Sequence, residues 1–323
     1  MSGFRFEFYQ ADAKDSWNDF VRRGRNGVFL FERAYMDYHA HRFVDASVIV
    51  RSSSSQGIVA VLPAHRVNEA GDLVLMSHGG LTFGGMVMHP KLGGAEVLAV
   101  LTALCEWLGA QGFKRLLLRP VPHIYHRLPS EDDLYALHRL GARLSGVQLS
   151  STLDLQREVI KSGHRRQKMA LAESAGVVAA TCSVEHFWPV LEQTLQRRHG
   201  ASPVHSLAEM QRLMEDFPCI ECVGAARQDD EELLAGAVLY HYDGVTHTQY
   251  MAASEAGYRV AAMNAVVEHV IEYAREKGQR WLNFGVSTVD GGRVLNEGLL
   301  LYKERFGARS TVLQSYEIEI GSV

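Results

Sequence analysis

Three residues in the C-terminal half of the chain carry side chains that could act on a carbonyl group. Lys303 lies in the segment LYKERFG, and its ammonium group could stabilise the oxyanion that forms when an amine attacks a carbonyl carbon. Tyr250 lies in the strand-like segment HTQYMA and could protonate a leaving thiolate or orient an amine. Glu297 lies in a glycine-rich stretch and could accept a proton from an ammonium group.

Each of these three residues also has a structural interpretation. Lys303 could be a surface lysine that pairs with Glu304 or Glu297. Tyr250 could be a packed core residue whose hydroxyl group is hydrogen-bonded. Glu297 could cap a helix or stabilise a turn. The sequence leaves both interpretations open for each residue.

Polar residues also occur on the strand predicted at residues 281–287. Asn283 and Ser287 share one face of this strand because side chains alternate with a period of two residues. Buried polar side chains on an interior strand need hydrogen-bond partners. We therefore expect both residues either to line a substrate cleft or to belong to a structural network.

Two further segments carry groups that suit a phosphate or a sugar. The first is RPVPHIYHRLP, which follows an apolar strand in the N-terminal half, and the second is the basic helix that begins near residue 164. Arginine can contact phosphate in a bidentate manner. The alternative for the basic helix is a solvated face. The substrate-binding candidates in these two segments are Arg119, His123, Tyr125, His126 and Arg165.

A strand, loop, helix and strand follow one another from residue 246 to residue 287. The helix is predicted to start near Val260, and its first N–H groups, with the helix dipole, suit a phosphate or pyrophosphate. An ordinary crossover with an empty helix end is the alternative. The candidates for binding a donor molecule in this loop are Gly257, Tyr258, Arg259, Val260 and Ala261.

The elements that must position these residues occur in two similar sets. Apolar strands at residues 59–66 and 235–242 are each followed by a second strand, an amphipathic helix, a glycine and a further strand. The spacing is too long for a solenoid repeat. It predicts two tandem α/β domains (mixed α+β), 1–155 and 156–323, each with a central mixed sheet flanked by helices and with a substrate cleft between them. The chain is expected to close with a hairpin.

The composition of the chain is that of an ordinary soluble protein. It has 323 residues, a net charge of −4, 47% hydrophobic residues and 22% charged residues. The chain has no overall excess of basic residues, so its charge does not indicate a general nucleic-acid-binding surface. Neither a secretory signal nor a membrane-spanning run is evident, so we expect a cytoplasmic protein, monomeric or homodimeric.

The cysteines and histidines give little support for a metal or a disulfide framework. Cys219 and Cys222 form a lone C-x-x-C in a predicted strand, without a second pair at zinc spacing. The histidines are scattered along the chain. We therefore expect no metal.

At this point the order of elements resembles the GNAT acyltransferase superfamily, and more closely its tandem-domain, FemAB-like branch. Three segments carry the resemblance: HRRQKMALAESAGV (164–177), AGAVLYHYDGVTHTQYMAAS (235–254) and WLNFGVS…LNEGLLLYKERFGAR (281–309). In the last segment Lys303 matches the lysine of the branch's F-K-x-x-F-G ending. The likeness covers nearly the whole chain.

The resemblance implies an enzyme that moves an acyl group from a thioester or an aminoacyl-tRNA to an amine, often on a cell-envelope precursor or a nucleotide-linked sugar. In such proteins the strands before and after the crossover helix part, and the acyl-pantetheine arm lies between them. We therefore expect an N-acyltransferase that uses acyl-CoA or a similar thioester and acts in polysaccharide or cell-envelope synthesis. The alternatives are a tRNA-dependent aminoacyltransferase and a catalytically silent ligand-binding protein.

Overall fold

The computed structural model describes residues 3–158, 162–228 and 232–321. The chain divides into two compact units. Unit 1 comprises Met1–Gln148, Asp290–Arg293 and Val312–Val323, and unit 2 comprises Leu149–Val289 and Val294–Thr311. The domain boundary expected between residues 155 and 156 does not anticipate that two later segments belong to unit 1.

Helices and strands alternate along the described residues. The helices are α1 (Lys14–Arg23), α2 (Arg33–Asp37), α3 (Gly94–Ala110), α4 (Asp132–Arg139), α5 (Gly163–Ser174), α6 (Val184–His199), α7 (Leu207–Asp216), α8 (Glu255–Arg259), α9 (Ala262–Glu276) and α10 (Glu297–Glu304). The strands are β1 (Phe4–Phe8), β2 (Val44–Asp45), β3 (Val48–Ser52), β4 (Ile58–Leu62), β5 (Ala64–Glu69), β6 (Asp72–Ser77), β7 (Val87–Met88), β8 (Arg115–Leu118), β9 (Arg143–Asp154), β10 (Val177–Thr181), β11 (Ile220–Arg227), β12 (Ala235–Tyr242), β13 (Val245–Ala253), β14 (Trp281–Val286), β15 (Thr288–Val289), β16 (Val294–Leu295) and β17 (Arg309–Glu319).

Unit 1 contains two groups of strands. The first is an antiparallel sheet in the order β1-β3-β4-β7. In the second group the order is β2-β5-β6-β8, with β6 and β8 parallel, and the end of β17 pairs with β8. The apolar face of α3 packs in the core of this unit, where Val97, Leu101, Leu104 and Leu108 are fully buried.

The single strand predicted over residues 59–66 is wrong. The chain leaves β4 at Leu62 and enters β5 at Ala64, and the two strands pair with different neighbours. Pro63 lies between them. Because proline has no N–H group, it cannot continue a hydrogen-bonded ladder, and the chain changes sheet there.

Unit 2 contains one group of strands in the order β10-β11-β12-β13-β14, with the end of β9 beside β14. Neighbouring strands are antiparallel except β13 and β14, which are parallel and are connected through α8 and α9. The apolar stripe of α9 is buried against this sheet, and its fully buried members include Val266, Val267, Val270, Ile271 and Ala274.

The closing hairpin expected from the sequence is also wrong. Residues 297–304 form α10, and one long strand, β17, follows it. Asn296 caps the helix, because its side-chain oxygen accepts a hydrogen bond from the N–H of Leu299 at 3.0 Å. Lys303 and Phe306, three residues apart, are both buried, as expected for one face of a helical turn.

Candidate active site

The two parallel strands of unit 2 part after three residue pairs. Val245, Thr246 and His247 of β13 pair with Trp281, Leu282 and Asn283 of β14. Within the described part of the chain, no pair joins these two strands beyond that point, although β13 continues to Ala253 and β14 to Val286. The divergence that the resemblance implies is therefore present in this unit.

An irregularity in each strand accompanies the divergence. In β13, Val238 of β12 lies opposite Tyr250 and the next residue of β12 opposite Thr248, so Gln249 is an extra residue. In β14, Phe284 and Gly285 lie opposite the single residue Ser151 of β9, so β14 also has one extra residue. Gly285 has a φ of +70°. Bulges bend a strand and increase its twist, so they direct β13 and β14 away from each other.

Lys303 lies at the bulge of β14. Helix α10 carries this residue, which is only 4% exposed. Its Nζ donates hydrogen bonds to the carbonyl oxygens of Gly285 and Val286, both at 2.8 Å. Burial lowers the pKa of Lys303 to about 7. The structure therefore contradicts the interpretation of Lys303 as a surface lysine paired with a glutamate.

Tyr250 of β13 is paired with a histidine that the sequence did not indicate. Its hydroxyl group lies 2.7 Å from Nδ1 of His205, which is 4% exposed. The indole of Trp188 packs edge-on against the Tyr250 ring at 5.8 Å between centroids. Burial raises the pKa of Tyr250 to about 12, so the hydroxyl group keeps its proton at neutral pH and can donate it.

Asn283 belongs to a buried hydrogen-bond network. Its Oδ1 lies 2.9 Å from Nδ1 of His247, and its Nδ2 donates to the hydroxyl groups of Ser150 and Thr152 at 2.9 and 2.8 Å. Burial lowers the pKa of His247 to about 4, so the neutral ring donates from Nδ1 to the amide oxygen. This geometry favours the structural interpretation of Asn283.

Two buried hydroxyl groups adjoin the point of divergence. Ser287, which follows β14, is 1% exposed, and Thr248 of β13 is 6% exposed. Among the described residues, neither side-chain oxygen has a hydrogen-bond partner. A buried polar group without a partner costs free energy, so a ligand that satisfied these groups would gain from binding here.

The loop between β13 and α9 is tightly packed at its glycine. A Cβ atom on Gly257 would lie 2.1 Å from the backbone oxygen of Leu234. Ser254 caps α8, because its hydroxyl oxygen accepts a hydrogen bond from the N–H of Gly257 at 3.0 Å. Tyr258 and Arg259 are exposed, and the guanidinium group of Arg198 lies 4.6 Å above the Tyr258 ring. Only glycine fits at position 257.

The long crossover helix begins two residues later than predicted. The start expected near Val260 lies between two helices: the short α8 ends at Arg259, and α9 begins at Ala262. Ala261 between them has a φ of +55°, in the left-handed region that disfavours residues with a Cβ atom. The first N–H groups of an α-helix have no acceptor within the helix itself, so those of α9 could donate to another group.

Known proteins share the fold of this chain. Residues 158–292 match the family model described as an acetyltransferase (GNAT) domain. The chain is similar to the crystal structure of FemX, with 12% identity, a TM-score of 0.68 and coverage of 98% of this chain and 97% of that one. The chain has a tandem-domain, FemAB-like GNAT fold. The predicted fold class is therefore confirmed.

Two further solved structures have this fold. L-PGS from Bacillus licheniformis is 14% identical, with a TM-score of 0.60 and coverage of 97% of this chain and 93% of that one. A tandem GNAT protein from the clavulanic acid biosynthesis pathway is 15% identical, with a TM-score of 0.52 and coverage of 98% and 99%. Among curated proteins, none matches this sequence significantly.

In this GNAT unit, two predicted site residues lie apart from the bulge. Glu297 is exposed at the first position of α10, and Lys303 is six residues further along the same helix. At 1.5 Å per residue this is about 9 Å along the axis. Arg165 is 3% exposed and makes a bidentate ion pair with Glu268, with Nη2 and Oε2 at 2.8 Å. This pairing favours a structural role for Arg165 in place of the expected substrate contact.

The remaining substrate-binding candidates belong to unit 1, and most of them make hydrogen bonds or packing contacts within that unit. Nη2 of Arg119 donates to the backbone oxygen of His78 at 2.8 Å, and burial lowers the pKa of Arg119. Tyr125 is buried, with its ring 4.6 Å from that of Phe83. Nε2 of His126 donates to the backbone oxygen of Val121 at 2.7 Å. His123 is the exposed member of the four candidates.

Two further properties concern metals and membranes. Within residues 3–158, 162–228 and 232–321, no group of three or more His, Cys, Asp or Glu residues could hold a metal ion. In the same ranges, none of the helices combines the length and the apolar character that a bilayer crossing requires.

Proposed function

We propose that this chain is an N-acyltransferase that moves an acyl group from acyl-CoA or a similar thioester to an amine. The acceptor is an amino sugar or another precursor of cell-envelope or polysaccharide synthesis. The observation that carries the proposal is the divergence of β13 and β14 after three pairs. Beyond the third pair the described residues of the two strands no longer bond to each other, and the gap between them would take the amide-rich arm of a thioester donor.

Two features of unit 2 support a donor site of this kind. The parting strands would hold the extended arm, and the first turn of α9 would hold its phosphates, since helix N-termini attract anions. The exposed Arg259 adds a positive charge in the preceding loop. Thr248 and Ser287 would supply hydroxyl partners on either side.

The proposed reaction needs no covalent enzyme intermediate. The amine nitrogen attacks the thioester carbonyl, a C–N bond forms, and the C–S bond breaks. Tyr250 gives its proton to the departing thiolate, and the proton that the amine loses restores the hydroxyl group, which His205 holds in place. In its charged form, which at a pKa of about 7 is present at and below neutral pH, Lys303 donates two of its three ammonium hydrogens to the carbonyl oxygens of Gly285 and Val286. The third hydrogen stabilises the oxyanion.

A second candidate is transfer of an aminoacyl group from a charged tRNA. The structural likeness to FemX favours it, because the FemAB-like branch uses such donors. The two candidates share the acceptor chemistry and differ in the donor. A silent ligand-binding protein is the third alternative, and it would bind a ligand without turnover.

Thermal unfolding of the full chain with different ligands tests these alternatives. We expect acetyl-CoA or CoA to raise the melting temperature, since a ligand at 100 times its Kd adds about 2.7 kcal/mol of stability. Nucleotide sugars would report the acceptor class in the same assay. No shift with either CoA form, together with tRNA binding that weakens steeply with salt, would replace the thioester proposal by the aminoacyl one.

A further inference from the structure

Two cysteines of unit 2 lie directly opposite each other on neighbouring strands. The antiparallel pairing of β10 and β11 ends with Thr181 opposite Val223. The next residues in this register are Cys182 and Cys222, and the N–H of Cys182 donates to the backbone oxygen of Cys222 at 3.0 Å. Their Sγ atoms are 3.6 Å apart. The two thiols are therefore already in contact.

We propose that Cys182 and Cys222 form a reversible disulfide bond when the protein meets a peroxide or a small disulfide. Residues directly opposite on antiparallel strands have Cα atoms about 4.5–5.5 Å apart. This range lies within the roughly 4.4–6.8 Å that a disulfide bond requires. The bond can thus form without a change in strand register.

The surroundings of the pair give one thiol access to an oxidant. Cys182 is partly exposed, whereas Cys222 is 2% exposed. A Cβ atom on Gly224 would lie 2.8 Å from the sulfur of Cys182, so the glycine leaves room for that sulfur. Hydrogen bonding between the thiols lowers the pKa of Cys182, which makes Cys182 the thiol that reacts first.

The chemistry is a two-electron oxidation. The Cys182 thiolate attacks hydrogen peroxide, which leaves a sulfenic acid on Cys182 and releases hydroxide. The sulfur of Cys222 then displaces hydroxide from that sulfenic acid, and the S–S bond forms. In total, two thiols and one peroxide give one disulfide and two waters. A dithiol such as dithiothreitol reverses the step by thiol–disulfide exchange.

The bond would close the segment that contains α6, α7 and His205. This segment contacts β13 through Trp188 and through His205, both of which lie against Tyr250. A disulfide that closes a long loop restricts the unfolded chain. We therefore expect the oxidised protein to unfold at a higher temperature than the reduced protein.

The test uses the purified full chain before and after treatment with hydrogen peroxide. Peptide mass spectrometry without reductant should show one cross-linked pair that contains Cys182 and Cys222 and lacks two hydrogen atoms. The melting temperature should rise on oxidation and return after dithiothreitol. Cys182→Ser and Cys222→Ser should each abolish the cross-link and the rise.

Cys219→Ser is the matched control, because Cys219 is three residues from Cys222 in the same unit. This variant should keep both the cross-link and the rise in melting temperature. If peroxide oxidises Cys182 in the folded wild type without producing the Cys182–Cys222 peptide, or if the cross-link joins Cys219, the proposal is overturned. Circular dichroism confirms that each variant is folded before oxidation.

Discussion

Lys303 is the residue at which burial and charge conflict most directly. Removing an ammonium group from water costs several kcal/mol, and Lys303 is almost completely buried. The carbonyl oxygens of Gly285 and Val286 offset part of this cost because they accept hydrogen bonds from the charged form. The same hydrogen bonds stabilise the bulge of β14. Lys303 therefore supplies a positive charge and also fixes the backbone conformation of the strand.

The first prediction concerns the pH dependence of stability. The pKa of Lys303 is about 7 in the folded chain and near 10.5 ordinarily, so unfolding takes up a proton between these values. Stability should therefore rise with pH across this window, by up to about 1.4 kcal/mol per pH unit from this residue. Melting temperatures of the wild type and Lys303→Met, measured across the window, should differ in slope.

The exposed Lys114 supplies the control for this experiment. Lys114→Met should keep the pH slope of the wild type. Equal slopes in the wild type and Lys303→Met would show that Lys303 does not change its protonation state between folded and unfolded chains.

The second prediction concerns Tyr250. Tyr250→Phe removes the hydroxyl group that pairs with His205 and leaves the ring against Trp188 in place. If the hydroxyl group protonates the leaving thiolate, kcat should fall by about 10²–10⁴-fold with little change in KM for the donor. Tyr273→Phe is the control, because Tyr273 donates to Glu221 in the same unit. An unchanged kcat in Tyr250→Phe would remove Tyr250 from the chemistry.

The sequence indicated some of these side chains and missed their partners. Strand alternation and the F-K-x-x-F-G ending pointed to Tyr250 and Lys303. His205 lies 45 positions from Tyr250, in a segment whose only local signal is the capping serine that follows it. Local patterns report spacing along the chain and do not report which distant residue will arrive beside a side chain, so this pair could not be predicted.

At the scale of elements, the loop between β13 and α9 determines how the donor site can be built. Gly257 packs against the backbone of Leu234, so this glycine fixes α8 on the start of β12. Ala261 then turns the chain into α9 with a backbone conformation that usually requires glycine or asparagine. The packing of the loop therefore sets the position of the first turn of α9.

The third prediction is that Gly257→Ala displaces α8. The new methyl group would meet backbone atoms, which cannot move aside as a side chain can. We expect a loss of about 1–3 kcal/mol of stability and weaker donor binding, measured by denaturant unfolding and by titration with CoA. Gly163→Ala is the control, because among the described residues, its two chain neighbours and the nearby backbone of its own helix aside, no atom lies within 4 Å of a Cβ atom added there. Equal stability of the two variants would contradict the close packing.

Most elements could be predicted from the periodicity of apolar residues, and the exceptions have physical causes. The apolar residues of α3 and α9 repeat about every 3.6 positions, and this strong signal was enough to predict both helices. The apolar residues on both sides of Pro63 indicated one strand, whereas the chain leaves one sheet and enters another at this proline. The segment over residues 297–304 contains a glycine, Gly298, and has a buried lysine, so its pattern of apolar residues did not indicate the helix α10.

At the scale of the whole molecule, unit 1 is discontinuous in the sequence. Its strand β8 pairs with the end of β17, which follows nearly all of unit 2 along the chain. Ile318 of β17 is 2% exposed and belongs to the core of unit 1. The stability of a unit that begins at the N-terminus thus depends on residues near position 318.

The fourth prediction follows from this arrangement. Ile318→Ala should cost about 2–5 kcal/mol, as for other large-to-small changes in a core. Hydrogen exchange should accelerate in β6, β8 and α3 of unit 1, with little change in β12 and α9 of unit 2. Val312→Ala, at a position that is 41% exposed in the same strand, should leave exchange nearly unchanged. Faster exchange in unit 2 alone would refute the assignment of Ile318 to unit 1.

The pairing of β8 with β17 also has a consequence for synthesis on the ribosome. Arg115 and Glu317, which bond across these strands, are 202 positions apart. At about 5–20 residues per second, roughly 10–40 s pass between their appearance. During this time one edge of β8 has no neighbouring strand from its own chain, and open edges invite pairing with other chains. We therefore expect the nascent polypeptide to be most prone to wrong strand pairing until β17 has been made.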